Sequence, residues 1–228
     1  MKYLLFLFSI ITILNSCNSS STETEELSEI IEDASVYPEQ DFLDYIEENA
    51  LEKPEYVKFF SNRDSLFAIP KIMCNESQST FETIYNNDTI SINVKQDTFI
   101  IEEHTITKDT LNYTQLVDGF PQYGATYLPP KYNLTEIKIS VNGKNLKIPR
   151  ETYSIYYDTQ FCKSYFFSRA IESYISGDFI YMYIYGGNGA DAYYSKLIFS
   201  KEEYVTSIIA DYYPMTRYGC FHEGFIGF

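Results

Sequence analysis

Glu136-Ile137-Lys138-Ile139-Ser140-Val141-Asn142-Gly143-Lys144-Asn145-Leu146-Lys147-Ile148-Pro149 sets two alternating runs around an Asn-Gly pair. A two-residue hairpin loop needs positive φ at both central positions, which asparagine and glycine tolerate, so Asn142-Gly143 predicts a tight antiparallel turn. The loop length also fixes the register. Counting outward, Val141 faces Lys144, Ile139 faces Leu146 and Ile137 faces Ile148, so the large apolar side chains meet on one face. Turn chemistry and strand period agree, and the chain reads here as antiparallel sheet.

The same alternation extends in both directions. Upstream, Ile90, Ile92 and Val94 share one face and Ser91 and Asn93 the other, and residues 99–107 read as the next strand. Downstream, Phe179, Tyr181, Tyr183 and Tyr185 lie on one face of a strand and Ile180, Met182 and Ile184 on the other. A strand apolar on both faces belongs near the centre of a sheet. It enters Gly186-Gly187-Asn188-Gly189-Ala190-Asp191, returns through 193–199 and turns at Lys201-Glu202 into 204–210, making a three-stranded meander. The glycines supply positive φ for a tight turn. A phosphate loop would lead into a helix N-terminus, whereas a strand follows here. Asn188 and Asp191 fall well short of the oxygen shell that calcium takes. Residues 120–131, with three prolines, read as a loop capping an end of the core with Phe120 and Tyr127, and 149–158 as a short helical or turn segment.

Nearer the N-terminus the period changes. Phe42, Leu43, Tyr45 and Ile46 recur at helical spacing behind Pro38, with acids in the first turn where the helix dipole favours them. Tyr56, Val57, Phe59 and Phe60 cluster in the same way over 54–61. The expected class is therefore α+β, mostly antiparallel β-sheet with short N-terminal helices.

Composition limits the function classes. Formal net charge is −15, and affinity for nucleic acid comes chiefly from lysine and arginine displacing counterions, so nucleic-acid binding is excluded as an expectation. Hydrophobic residues at 45% and aromatic residues at 18% require a packed core. Tyrosine reaches 23 residues while tryptophan is absent, so many half-polar rings must find both apolar contact and hydroxyl partners.

The chain starts with Met1-Lys2, an apolar run over 3–14, and Leu14-Asn15-Ser16-Cys17. The run is too short for a bilayer-spanning helix, which needs roughly 20 residues, and its length suits a signal h-region. It resembles the signal peptide of bacterial lipoproteins, of the kind found in Bacteroidota. That resemblance implies cleavage before a lipid-modified Cys17 and a cell-envelope protein anchored to a membrane, the outer membrane before the inner. On this reading, 1–16 is the signal peptide, 17–36 a lipid-anchored acidic tether, and 37–228 a single globular α+β domain. Removing 1–16 takes one lysine and no acid, so the mature chain is one unit more acidic. The stretch from Gly186 through Tyr193 also resembles a Gly-Gly-x-Gly-Ala-x-x-Tyr hairpin of uncharacterised bacterial proteins, a likeness that implies no activity.

With Cys17 lipidated, Cys74, Cys162 and Cys220 remain, and the exported compartment permits one disulfide. Three pairings are open, Cys162 with Cys220 is the preferred one, and three unpaired thiols are the alternative. No cysteine or histidine spacing fits a metal site. Glu102 and His104 share a strand face, and His222 stands near Cys220, but neither pair makes a catalytic constellation. No catalytic residue, metal or cofactor is expected.

The face of Tyr181, Tyr183 and Tyr185 either packs beneath the N-terminal elements or forms an aromatic binding face for a glycan or a partner strand. The expectation is a non-catalytic binding or interaction domain whose partners are the membrane, through Cys17, and an envelope protein or glycan. An envelope hydrolase with a loop-borne site and an immunity- or inhibitor-type lipoprotein are the alternatives.

Overall fold

Ile90, Ile92 and Val94 are all fully buried, while the residues between them are not, so the alternation read from the sequence sorts one face of their strand into the core. The computed structural model describes residues 47–48, 58–59, 65–111, 113–125, 129–163, 170–187, 191–211 and 226–227, all within the compact unit Tyr37–Phe228.

Two antiparallel sheets dominate. The first orders β1 (Phe67–Ala68), β10 (Glu172–Ser176), β11 (Phe179–Gly186), β12 (Tyr193–Ser200), β13 (Tyr204–Asp211) and β14 (Ile226–Gly227) side by side in that sequence. The second orders β2 (Lys71–Cys74), β3 (Gln78–Tyr85), β4 (Asp88–Thr98), β8 (Tyr132–Val141) and β9 (Lys144–Asn145). A third, small sheet holds β5 (Ile106–Lys108), β6 (Thr114–Val117) and β7 (Phe120–Pro121).

One buried cluster takes the inward side chains of both large sheets. Phe81, Ile90, Ile92, Val94, Ile137 and Ile139 come from one, and Ile175, Ile180, Met182, Ile184, Leu197 and Phe199 from the other. Each such side chain contributes about 1.5–3 kcal/mol when fully buried, so this shared layer is the main source of cohesion. The far face of the β3–β4–β8 sheet is polar, with Lys95 paired to Glu136 at 3.0 Å, as suits an antiparallel sheet wetted on one side.

The fold class departs from the expectation. Among the described residues 58% are strand and 9% helical, and no helix reaches seven residues, so the protein is all-β rather than α+β. The helix expected behind Pro38 lies almost wholly outside the described residues, which include only Glu47 and Glu48 of it, and from the 54–61 segment only 58–59, in a 3-10 turn. Nor is 99–107 a strand. Ile101–Glu103 forms a 3-10 turn before β5, because its side chains point outward and no inward alternation holds it in a ladder.

The opening hairpin holds at its tip and stops early. Asn142 and Gly143 have φ of 51° and 76°, Val141 faces Lys144 and Ser140 faces Asn145, and the Leu146 N–H still donates to Ile139 O. Beyond it Lys147 leaves this ladder to bridge Glu203 of the other sheet, so Ile148 does not face Ile137. The β11–β12–β13 meander stands as read, with β11 buried on both faces.

Candidate functional site

The segment Tyr156-Tyr157-Asp158-Thr159 joins the two large sheets. Tyr157 bridges Asn133 at the start of β8, Thr159 bridges Gly186 at the end of β11, and Tyr156 bridges Tyr123. At its centre Asp158 adopts φ of 48°, a left-handed conformation that aspartate visits more readily than most residues. Its Oδ1 accepts the N–H groups of Lys131 and Tyr132, both at 2.9 Å, and its own N–H donates to Tyr132 O at 3.0 Å. Burial pushes the carboxyl upward from its ordinary pKa, opposed by the N–H groups of Tyr132 and Lys131 and by the Lys131 charge.

Behind this segment lie two fully buried tyrosines, Tyr156 and Tyr193, whose hydroxyls both have partners. Tyr193 donates to Tyr157 O at 3.1 Å, so its single proton is used and the Thr159 hydroxyl at 3.0 Å must donate to it. The Tyr156 ring stacks on Tyr193 with centroids 5.5 Å apart, and its hydroxyl pairs with Ser195 Oγ at 2.6 Å. Burial pushes both hydroxyls well above the ordinary tyrosine pKa, and that of Tyr157 up to about 12, so all three are neutral near pH 7.

In front of it opens a cleft of about 660 Å³, with Gln96, Lys131, Tyr132, Asp158, Phe161 and Cys162 among its lining residues. Size falls in the usual range for small-molecule sites, roughly 300–1,000 Å³. Gln96 continues the inward face of Ile90, Ile92 and Val94, yet is polar and only 4% exposed. It sits where the β4–β8 register shifts by a bulge, a feature often found beside sites because it re-aims a side chain. Its Nε2 donates to Glu76 O at 2.6 Å, which fixes the amide orientation, and its buried Oε1 accepts from no described residue. Asp158 Oδ2 likewise accepts from no described residue.

The wall of the cleft is cross-linked. Cys162 is bonded to Cys74, with Cα atoms 5.8 Å apart. This replaces the expected Cys162–Cys220 pairing, and Cys220 lies outside the described residues. The carbonyl of Phe161, one residue earlier, accepts from Lys71 Nζ at 2.6 Å and from Ser79 Oγ at 3.3 Å. Comparison with known proteins finds nothing: no family model matches the chain, and no curated protein and no solved structure is detectably similar to it. The site is read from its own chemistry.

The aromatic binding face is not available as an exposed surface. Tyr181, Tyr183 and Tyr185 are 7%, 2% and 4% exposed, packed with Tyr194, Ile198, Ile208, Phe59 and Leu66 in a second buried cluster. Lys196 is buried among them, donating to Phe59 O at 2.9 Å with its ammonium 4.9 Å from the Tyr181 ring centre and 5.3 Å from that of Tyr183. The face packs under another part of the chain, the first of the two alternatives posed by the sequence.

His104 does not pair with Glu102, because the 3-10 turn breaks their common face. Its Nδ1 meets Asp118 Oδ2 at 2.7 Å while its ring stacks on Phe99. The His104 contact and the Thr105 N–H hold the Asp118 carboxyl below its ordinary pKa. Among the described residues no group of three or more His, Cys, Asp or Glu could hold a metal ion. His222 lies outside the described residues, as does Tyr127 of the expected capping loop. Phe120 of that loop is 49% exposed and pairs in β7 rather than capping the core.

Three residues at the cleft escaped sequence reading. Asp158 stood at the end of a turn segment with no periodic signal, and Lys131 at the end of a proline-rich loop. Gln96 did carry a signal, a polar side chain at the fourth inward position of an otherwise aliphatic strand face.

Proposed function

We propose that this chain is a lipid-anchored cell-envelope protein whose all-β domain is a non-catalytic binding module, with the Asp158 cleft as its ligand site. One observation carries the site: Gln96 is held by Glu76 O in the cleft wall while its Oε1, sealed from solvent, accepts from no described residue, an arrangement that costs about 1–3 kcal/mol unless a donor reaches it. Support comes from the seam around it. A disulfide, a left-handed aspartate and two backbone bridges fix the lining residues, so a ligand would meet a preformed surface.

The lipid anchor rests on Leu14-Asn15-Ser16-Cys17, and the Cys74–Cys162 disulfide accords with an exported, oxidising compartment. The test of the binding reading is hydrogen exchange by mass spectrometry on the full-length protein in detergent. Neutral, cationic and anionic small molecules are titrated in turn, and protection by any of them confined to peptides containing Glu76, Gln96 and Asp158–Cys162 is expected. Protection confined to the tyrosine strands, or absent throughout, contradicts the cleft as the site. For the anchor, Cys17→Ser is expected to abolish partitioning into detergent, and unchanged partitioning contradicts it.

A further inference from the structure

We infer that the cleft takes a neutral polyhydroxyl ligand, a mono- or disaccharide, rather than an amine or an acid; this rests on the reading of the cleft as a ligand site. Charge and hydrogen-bond sense at the cleft select the ligand class. Asp158, in the cleft lining, leaves its Oδ2 without a donor among the described residues, whereas Gln96 Oε1 is sealed from solvent within the cleft wall. Lys131 offers donors and no acceptor.

Charge separates the candidate classes. The Lys131 ammonium already acts on the Asp158 carboxyl as a favourable charge, so the cleft carries its own counter-ion, and a ligand ammonium would have to compete with it. A ligand anion would face Asp158 and Glu76 in a chain of net charge −15. A hydroxyl both donates and accepts without charge, and adjacent hydroxyls of a sugar ring can donate to Asp158 and accept from Lys131 together. The Tyr132 side chain, half-buried in the lining, supplies an apolar surface for the C–H face of such a ring. Apolar linings suit drug-like ligands, whereas this one mixes a carboxylate, an amide and an ammonium.

The test uses three named probe sets on the full-length protein: maltose, cellobiose and diacetylchitobiose as neutral sugars, spermidine as a cation, and glucuronate as an acid sugar. Hydrogen exchange locates each probe and calorimetry gives its affinity. The expected result is protection of the Gln96 and Asp158–Cys162 peptides by at least one neutral disaccharide and by neither charged probe. Asp158→Asn, which keeps a residue tolerant of positive φ and an Oδ1 acceptor, is expected to weaken that binding about tenfold to a hundredfold, since a hydrogen bond to a charged group is worth about 1.5–3 kcal/mol. Lys131→Ala changes an exposed side chain, so it leaves the fold intact and is expected to weaken sugar binding about threefold to tenfold. Thermal melting of both variants separates lost binding from lost fold.

Protection of the cleft by spermidine or glucuronate but by no sugar overturns the ligand class and leaves the binding site standing. Cleft protection by a sugar whose affinity is unchanged in both variants also overturns it. Protection of the cleft by no probe removes both readings together.

Discussion

The ring of Tyr193 lies over Gly186, its cross-strand partner, in the space that a Cβ on Gly186 would fill. The glycines of this turn are thus of two kinds. Gly187, with φ of 72°, needs both the left-handed backbone and the missing side chain, since a Cβ there would run into Asp191 O, whereas Gly186 is there for its missing side chain alone. Gly186→Ala is expected to lower unfolding free energy by about 2–3 kcal/mol through overpacking. Tyr193→Leu costs stability by itself through the lost hydroxyl bonds, but in the double variant the clash is relieved, so the two effects do not add. A double-mutant cycle by urea denaturation measures this, and strict additivity would show that the ring and the glycine are not coupled.

The Cys74–Cys162 bond closes 88 residues of sequence separation and ties β2 to the cleft wall. Cross-linking a loop of that length restrains the unfolded chain by about 4.6 kcal/mol in the entropy model, with typical measured values of about 2–4. The Cys74→Ser/Cys162→Ser protein is expected to unfold at lower urea concentration by that amount. Reductant should shift the parent protein in the same way and leave the double variant unmoved. A parent protein indifferent to reductant would contradict the pairing.

Lys71 gives a pH signature. Burial pushes its ammonium down to about 8 from an ordinary value of 10.5, with Glu172 opposing and Lys163 adding to the shift. Between those values the unfolded chain holds a proton that the folded chain has released, so the contribution of Lys71 to stability rises with pH through that window. Below pH 8 both states are charged and the contribution is flat. The buried tyrosine hydroxyls, pushed upward, act in the opposite sense above about pH 10. Urea midpoints of the parent minus those of Lys71→Met, which keeps an apolar stem near Phe81, are therefore expected to climb from pH 8 to 10. A flat or falling difference would show that the ammonium is not desolvated.

How much of this was legible in the sequence follows from the range of the forces involved. The Asn142-Gly143 turn, the inward face of β4 and the β11–β12–β13 meander were readable because turn chemistry and a period of two are local. The expectation of N-terminal helices rests on spacing alone, and of those segments only Glu47–Glu48 and 58–59 fall within the described residues, the latter in a 3-10 turn that sets Phe59 against the tyrosine face. Burial of Lys196 was hidden as well. Tyr183 is its cross-strand neighbour on β11, but the carbonyl that takes its proton, Phe59 O, lies on a segment distant in sequence, and a lysine within a strand normally marks the wet face. The Cys74–Cys162 pairing, chosen among three possibilities, depended on the same long-range packing.

The central claim is that the cleft in front of Asp158 holds a ligand and that the ligand is a neutral sugar. A crystal structure of the full-length protein soaked with the neutral disaccharides addresses it most directly. The prediction is an ordered sugar ring beside Tyr132, with one hydroxyl within hydrogen-bond distance of Asp158 Oδ2 and another accepting from Lys131 Nζ. A cleft without sugar, or sugar ordered only elsewhere on the molecule, would contradict it.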